Sequence, residues 1–147
     1  MSQTYDLILR GGTVVSHRGV GIADIGVREG RIDGVGDLGK ASAGGVIDAT
    51  GLHLLPGVID PPVHFREPGM VHKKDLESGT RGAVLGGVTA VFEVPNTRPT
   101  TTDPDALVDK LARARGRAWC DHAFYLGATA ENAAMLGEWE RLPGCCG

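Results

Sequence analysis

A histidine and an arginine follow a candidate buried strand in the segment PGVIDPPVHFREPG, residues 56–69. Side chains alternate along a strand, so Asp60, His64 and Arg66 would project from one side for as long as the strand lasts. An imidazole nitrogen can bind Zn²⁺, and a guanidinium offers a planar set of donors that suits a carboxylate. Pro62 would share that side but has no atom that binds a metal. The segment therefore predicts a metal and carboxylate site that lacks one ligand.

A second candidate residue, Asn96, follows the apolar run at 89–95, whose lack of alternation is typical of a strand covered on both faces. Its amide can donate to a carboxylate and accept from a ring N–H. The carboxyl ends of neighbouring parallel strands meet at one edge, so Asn96 would join His64 and Arg66 there. Each of these residues alone is more often an ordinary polar or turn residue, and only their combination indicates a site. Structural roles are expected for the other histidines, which are His17, His53, His72 and His122.

The sequence changes character at Pro56, which predicts two domains. Residues 1–55 contain short β segments without helical periodicity. They predict a small antiparallel sheet, half of a β-sandwich, with a turn at Gly11–Gly12 and a hairpin that turns at Gly30. Residues 56–147 alternate candidate strands and helices as β-α-β-α-β-α, which is typical of a parallel sheet with right-handed crossovers.

Three helices are predicted in the second part from one-sided apolar residues and from end signals. Asp103 is a cap, Pro104 takes the first helical position, and Gly116 is a plausible stop. The residues predicted to share one face are Leu76, Thr80, Ala83 and Gly87 in the first helix, Leu107, Val108, Leu111 and Ala112 in the second, and Met135, Trp139 and Leu142 in the third.

Two architectures fit this α/β pattern: a small three-stranded α/β domain, or the first three βα units of an incomplete (β/α)8 TIM barrel. A three-stranded domain would leave a strand edge open and little apolar cover. A complete barrel needs about 250 residues, and the chain has 147. The incomplete barrel is the favoured interpretation.

The composition and charge of the chain limit the classes of partner and the cellular compartment that fit it. The net charge of −3 and the absence of a basic cluster argue against a nucleic-acid partner. No apolar run approaches the ~18 residues of a membrane span, and the first residues lack the pattern of a signal peptide. Three cysteines without a CxxC spacing predict free thiols in a reducing cytosol. We therefore expect a cytoplasmic protein without a membrane partner.

Several motifs together resemble a known family. They include DLILRGGTVV, IDATGLHLLPGVID, HFREPG and PNTRPTT, and the last two are highly specific at this separation. Over essentially all 147 residues the chain resembles the N-terminal third of the dihydroorotases, cyclic amidohydrolases of the amidohydrolase superfamily. The resemblance implies a metal-dependent (β/α)8 barrel that begins within residues 56–147. It also implies that residues 1–55 are part of a small β domain built from both chain ends.

The resemblance also assigns roles. The family's strand motif is D-x-H-x-H-x-R, in which Pro62 replaces the first histidine. By this resemblance His64 is a metal ligand, while Arg66 and Asn96 hold the carboxylate of the substrate. The implied reaction is attack of zinc-bound hydroxide on the ring amide of dihydroorotate in pyrimidine biosynthesis. Relatives acting on hydantoins or allantoin usually lack this arginine paired with the asparagine, which favours a ring that carries a carboxylate.

In the family, the bridging lysine, the later histidines and the catalytic aspartate lie beyond the segment that this chain matches. We therefore expect no catalytic residue in this chain, no activity from the chain alone, and at most one tightly bound Zn²⁺ per full-length chain. Two alternatives stay open. One is a non-catalytic, dihydroorotase-like scaffold partner of aspartate transcarbamoylase, which the loss at Pro62 fits. The other is a different cyclic amidase, of allantoinase or hydantoinase type. Assembly into a homo-oligomer also stays open.

Overall fold

A computed structural model describes residues 4–147, which divide into two units between Pro56 and Gly57. The strands in the described residues of the first unit are β1 (Thr4–Ser16), β2 (Gly19–Arg28), β3 (Arg31–Gly36), β4 (Ser42–Asp48) and β5 (His53–Leu54). They form one sheet in the order β3-β2-β1-β4, and β5 also pairs with β1.

This sheet is mixed and not purely antiparallel as the sequence predicted. β1 pairs antiparallel with β2, but β4 and β5 both run parallel to β1. The predicted turn at Gly11–Gly12 is also wrong, because β1 continues through these residues as a bulge. Gly11 has φ +70, and its N–H donates to Asp24 Oδ1 at 2.8 Å. A glycine that accepts a left-handed backbone lets the strand bend without ending.

The predicted hairpin between β2 and β3 is confirmed. The two strands pair antiparallel up to Arg28 and Arg31. Glu29 and Gly30 form the connection with φ +50 and +72. Positive φ at both central residues is the geometry that matches the twist of two adjacent strands.

The second unit has the predicted order of strands and helices. The elements in residues 57–147 are β6 (Val58–Val63), α1 (Leu76–Leu85), β7 (Val88–Glu93), α2 (Pro104–Ala114), β8 (Asp121–Phe124) and α3 (Leu136–Trp139). The strands β6, β7 and β8 form a parallel sheet in that order. The core between sheet and helices consists of Phe65, Leu76, Val91, Leu107, Ala114, Phe124 and Leu126.

The predicted start of α2 is confirmed, but part of its predicted inner face is wrong. Asp103 accepts the Ala106 N–H at 2.8 Å as the helix cap, and Pro104 is the first helical residue. Val108, which the sequence placed inside, is 62% exposed, and Lys110 is buried in its place. Leu107, Lys110 and Ala114 form the inner face at spacings of three and four residues. The buried face of α2 thus differs from the predicted apolar face, because it includes the charged residue Lys110.

The third predicted helix is reduced to the single turn of α3. Met135 is 42% exposed, and Leu136 packs on the core in its place, beside Trp139. The segment before α3 is held by Asn132, whose amide donates to Thr102 O and Gly127 O and accepts the Thr129 N–H. An asparagine that bonds to nearby backbone in this way competes with helix formation.

The main chain of residues 144–147 adds to the free edge of β8. Phe124 N donates to Gly144 O at 2.9 Å, and Cys146 N donates to Phe124 O at 3.0 Å. Phe124 and Cys145 form a parallel bridge. These bonds cover the carboxyl-terminal part of β8 on the side opposite β7.

None of the helices in residues 4–147 is long and apolar enough to cross a membrane.

Candidate active site

His64, Arg66 and Asn96 all lie at the carboxyl ends of β6 and β7. β6 ends at Val63, one residue before His64, and β7 ends three residues before Asn96. The two strands are adjacent and parallel, and the Val94 N–H donates to Val63 O at 3.1 Å just beyond the ladder. This register brings the two segments that follow the strands to the same edge of the sheet.

The side chains of His64 and Asn96 are in contact. His64 Nδ1 lies 3.2 Å from Asn96 Oδ1. A carboxamide oxygen only accepts, so this bond requires the proton on Nδ1, and the neutral imidazole then has a free lone pair on Nε2. Imidazoles that bind metals commonly use one ring nitrogen as the ligand while the other donates to an oxygen. The pair therefore presents one imidazole nitrogen in a form that can bind a metal.

Arg66 also contacts Asn96, but its backbone is not the extended strand that the sequence predicted. The strand ends before it, and its backbone is left-handed with φ +60, so the alternation from Asp60 does not continue to this residue. Its Nη1 nevertheless donates to the backbone O of Asn96 at 3.5 Å. The structure thus brings together His64, Arg66 and Asn96, and it places Asp60, half-buried, within β6.

Pro62 lies inside β6, where the pairing with β7 is irregular. The register shifts between Asp60 and Val63, a stretch that contains Pro61 and Pro62. Neither proline has an N–H for the ladder, and prolines within sheets are found at edges and bulges. The bulge explains how two prolines are accommodated, and it leaves His64 as the only ligand candidate of the predicted strand motif apart from Asp60.

The described residues do not make up a metal site by themselves. Among residues 4–147, no group of three or more His, Cys, Asp or Glu side chains is close enough to hold a metal ion. A catalytic zinc takes three protein ligands, of which His64 can supply one. Any metal at this edge would need further donors from outside the described residues.

Two buried carboxylates, Glu67 and Glu93, lie near the site residues along the chain, and the sequence analysis did not identify them. Glu67 is 4% exposed and pairs with Arg117, and Glu93 is 1% exposed and pairs with Lys110. Burial raises the pKa of Glu67, but hydrogen bonds from Arg117 and from the Leu76 N–H lower it by a larger amount. The pKa of Glu67 is therefore below its ordinary value.

The loops that follow β6 and β7 are packed tightly against each other. The Arg98 N–H donates to Pro68 O at 3.1 Å. Gly69 has φ +89, and a Cβ at this position would collide with the carbonyl oxygen of Arg98. Only glycine allows the two backbones to approach so closely. This contact holds the segments that carry Arg66 and Asn96 together.

The remaining histidines and the cysteines lie elsewhere. His17, His53 and His72 are exposed, and His122 near the start of β8 contacts Cys120 O through Nδ1 at 3.2 Å. The three cysteines of the described chain are free, and burial raises the pKa of Cys146 to about 11. A thiol with so high a pKa is a poor nucleophile at neutral pH. The structural roles predicted for these histidines stay predictions.

The chain is similar to curated proteins over almost its whole length. It is 43% identical to an allantoinase from Rubrobacter xylanophilus over 141 residues, which cover 95% of this chain and 30% of the relative. It is 37% identical to an allantoinase from Salmonella paratyphi B, covering 95% of this chain and 31% of that protein. The chain thus spans about a third of the length of these relatives. No model of a known protein family matches it.

The fold is similar to parts of solved structures. L-hydantoinase from Arthrobacter aurescens matches with a TM-score of 0.84 and 31% identity, over 92% of this chain and 31% of that one. Dihydropyrimidinase from Brevibacillus agri matches with a TM-score of 0.77 and 34% identity, over 90% of this chain and 29% of that one. Sequence and fold therefore point to the same group of proteins.

Proposed function

Because the chain is related in sequence and fold to cyclic amidohydrolases of the allantoinase and hydantoinase type, we propose that it forms the first part of a metal-dependent cyclic amide hydrolase. The observation that carries the proposal is the cluster of His64, Arg66 and Asn96. These residues meet at the carboxyl edge of a parallel sheet. This edge is where α/β barrels carry their active sites.

The proposed architecture is the beginning of a (β/α)8 barrel. The parallel order β6-β7-β8 with α1 and α2 as crossovers supports it. The bonding of residues 144–147 beside β8 also supports it, because a fourth parallel strand of a barrel would occupy this edge. A barrel requires strands beyond these, so we expect residues 1–147 alone to be inactive.

Each site residue has a role that its chemistry allows. His64 would bind Zn²⁺ through Nε2 while Asn96 Oδ1 accepts from Nδ1 and orients the ring. Arg66 and the Asn96 amide would donate to oxygens of the ring substrate or of its substituent. Zinc held there would act as a Lewis acid and would supply the activation of water that hydrolysis of a ring amide needs. Residues outside this chain would complete the metal site.

The substrate is proposed to be a neutral ring of the allantoin or hydantoin class. The curated relatives are named allantoinase, and the solved structures are named hydantoinase and dihydropyrimidinase. They favour this alternative over the dihydroorotate that the sequence motifs predicted. Dihydroorotate stays the second candidate, because the guanidinium of Arg66 beside Asn96 suits a carboxylate.

Turnover by the full-length protein tests this proposal. Zinc-loaded enzyme is incubated separately with allantoin, hydantoin and dihydroorotate, and ring opening is followed by the amount of product. We expect turnover of allantoin or hydantoin above that of dihydroorotate, and loss of turnover in His64→Ala. Hydrolysis of dihydroorotate alone, lost in Arg66→Ala, would reverse the substrate assignment. Turnover of none of the three rings would contradict the proposed reaction.

A scaffold is the second candidate function, and Pro62 is the observation that favours it. The residue removes a ligand from the strand motif of the resembled family. In this case the full-length protein would bind aspartate transcarbamoylase and would hydrolyse no ring. Co-purification of the two proteins without turnover would support the scaffold and contradict the hydrolase.

We propose at most one tightly bound Zn²⁺ per full-length chain, because Pro62 leaves His64 as the single imidazole of the predicted strand motif. Pro62→His should raise the zinc affinity, although it also releases the φ restriction of proline and can loosen the bulge. Metal analysis after dialysis decides the count for both proteins. Two tightly held zinc ions in the wild type would contradict this proposal.

A further inference from the structure

Glu67 is a buried carboxylate that directly follows Arg66, and both of its oxygens are hydrogen-bonded. Arg117 donates from Nη1 to Oε1 at 2.7 Å and from Nη2 to Oε2 at 3.2 Å. The Leu76 N–H also donates to Oε2, at 2.9 Å. An arginine fork that holds both oxygens of a carboxylate is strong and directional. The position of Glu67 is therefore set by three donors.

Arg66 lies between two side chains that turn into the core. Phe65 is 4% exposed, and its ring lies so close to Gly79 that a Cβ there would collide with it. Glu67, on the other side, is equally buried. Arg66 adopts φ +60 between them, a backbone conformation that is uncommon for residues other than glycine. Such a conformation persists only when the surrounding structure enforces it.

The contacts of Glu67 connect the loop after β6 to the start of α1 and to the residues that follow α2. Leu76 is the first residue of α1, and Arg117 follows the end of α2, where its N–H donates to Ala114 O at 3.0 Å. Arg66 itself closes a turn, since its carbonyl accepts the Met70 N–H at 2.9 Å. The hydrogen bonds of Glu67 thus attach the loop that carries His64 and Arg66 to the start of α1 and to Arg117.

We infer that Glu67 and Arg117 are positioning residues for the candidate site, which hold Arg66 in its left-handed conformation and so keep Arg66 and His64 against Asn96. The inference rests on the proposed function, because it concerns the same site. A merely structural pair would affect the stability of the fold alone. A positioning pair would also change the hydrogen bond of the His64 ring in a protein that stays folded.

The test uses the 147-residue chain with ¹⁵N-labelled histidine, which gives five imidazoles to resolve. Long-range ¹⁵N–¹H spectra report the tautomer of each ring, and His64→Gln assigns the signal of interest. The variants are Glu67→Gln and Arg117→Met, and the second one retains the carboxylate that accepts the Leu76 N–H. Asn96→Ala serves as the reference for a lost His64 bond. Asp109→Asn is the matched control, because it breaks the exposed ion pair with Arg113 at 2.7 Å on the outside of α2.

We expect wild type and Asp109→Asn to show His64 with its proton on Nδ1. Glu67→Gln and Arg117→Met should lose this single tautomer and approach the Asn96→Ala spectrum while circular dichroism shows them folded. An unchanged His64 signal in a folded Arg117→Met protein would overturn the inference. Unfolding of both variants beside a folded Asp109→Asn would also overturn it, since the pair would then serve the fold itself. The spectra need no turnover. The inference on Glu67 and Arg117 can therefore be wrong while the proposed hydrolase activity is right, and the activity can be wrong while the inference is right.

Discussion

Glu67 and Glu93 are both buried carboxylates behind the candidate site, but their partners differ. Glu67 receives three hydrogen bonds, two of them from Arg117, whose own side chain is 37% exposed. Glu93 accepts one side-chain hydrogen bond, from Lys110 Nζ at 2.9 Å, and both of these side chains are 1% exposed. A backbone hydrogen bond from Phe65 also acts to lower the pKa of Glu93. Within the described part of the chain, Oε1 of Glu93 is buried without a hydrogen bond.

The pKa values of the two carboxyls move in opposite directions for this reason. Burial raises the pKa of Glu93, and the charge of Lys110 opposes this without cancelling it. Burial likewise lowers the pKa of Lys110. At Glu67 the hydrogen bonds outweigh burial, and the pKa is lowered. The comparison teaches that a buried carboxylate keeps its charge when a partly exposed guanidinium fork holds both of its oxygens, and that its charged form is disfavoured when its ionic partner is buried with it.

The largest expected effect comes from breaking the fully buried pair. Lys110→Met would leave the buried carboxylate of Glu93 without its ionic partner, which typically costs about 3–5 kcal/mol. Arg117→Met should cost less, because water can reach the partly exposed end of that pair. Urea unfolding of both variants measures the difference. A smaller loss for Lys110→Met than for Arg117→Met would break the comparison.

Removing both charges of the buried pair should recover most of that loss. Replacing a buried ion pair by apolar residues of similar volume is often neutral, or stabilising by about 1–4 kcal/mol. The unpaired Oε1 of Glu93 disappears at the same time. We expect Glu93→Leu/Lys110→Met to unfold at a urea concentration close to that of the wild type. A double variant as unstable as Lys110→Met would show that the pair is needed for packing and not only for charge balance.

The two carboxyls should also respond oppositely to pH. The folded pKa of Glu67 lies below its ordinary 4.5, so its contribution to stability is complete above pH 4.5 and is lost as the pH falls through the folded pKa. The folded pKa of Glu93 lies above 4.5, so its contribution is complete below pH 4.5 and is lost as the pH rises through the folded pKa.

Unfolding free energies between pH 7 and pH 3 check these signs. Relative to Glu67→Gln, the wild type should lose stability toward the acid end. Relative to Glu93→Gln, it should gain stability as the pH falls toward 4.5. Curves of the same sign for both variants would remove the distinction between the two carboxyls.

Much of the fold and part of the site could be predicted from local patterns. The start of α2 at Asp103 and Pro104 was predictable because a cap acts within one turn of helix. The meeting of His64 with Asn96 was predictable because neighbouring parallel strands end at a common edge. The continuity of β1 through Gly11 was not, because a bulge and a turn have the same sequence signature.

The sequence by itself determined the order of strands and helices, the hairpin at Gly30 and the identity of the polar residues at the strand ends. Only the tertiary structure decided which charges are buried and how Arg66 is turned. Glu67 and Arg117 are separated by 50 positions, and Glu93 and Lys110 by 17. Burying a charge is favourable only when a partner meets it in space, and hydrophobic periodicity along the chain contains no information about such distant partners.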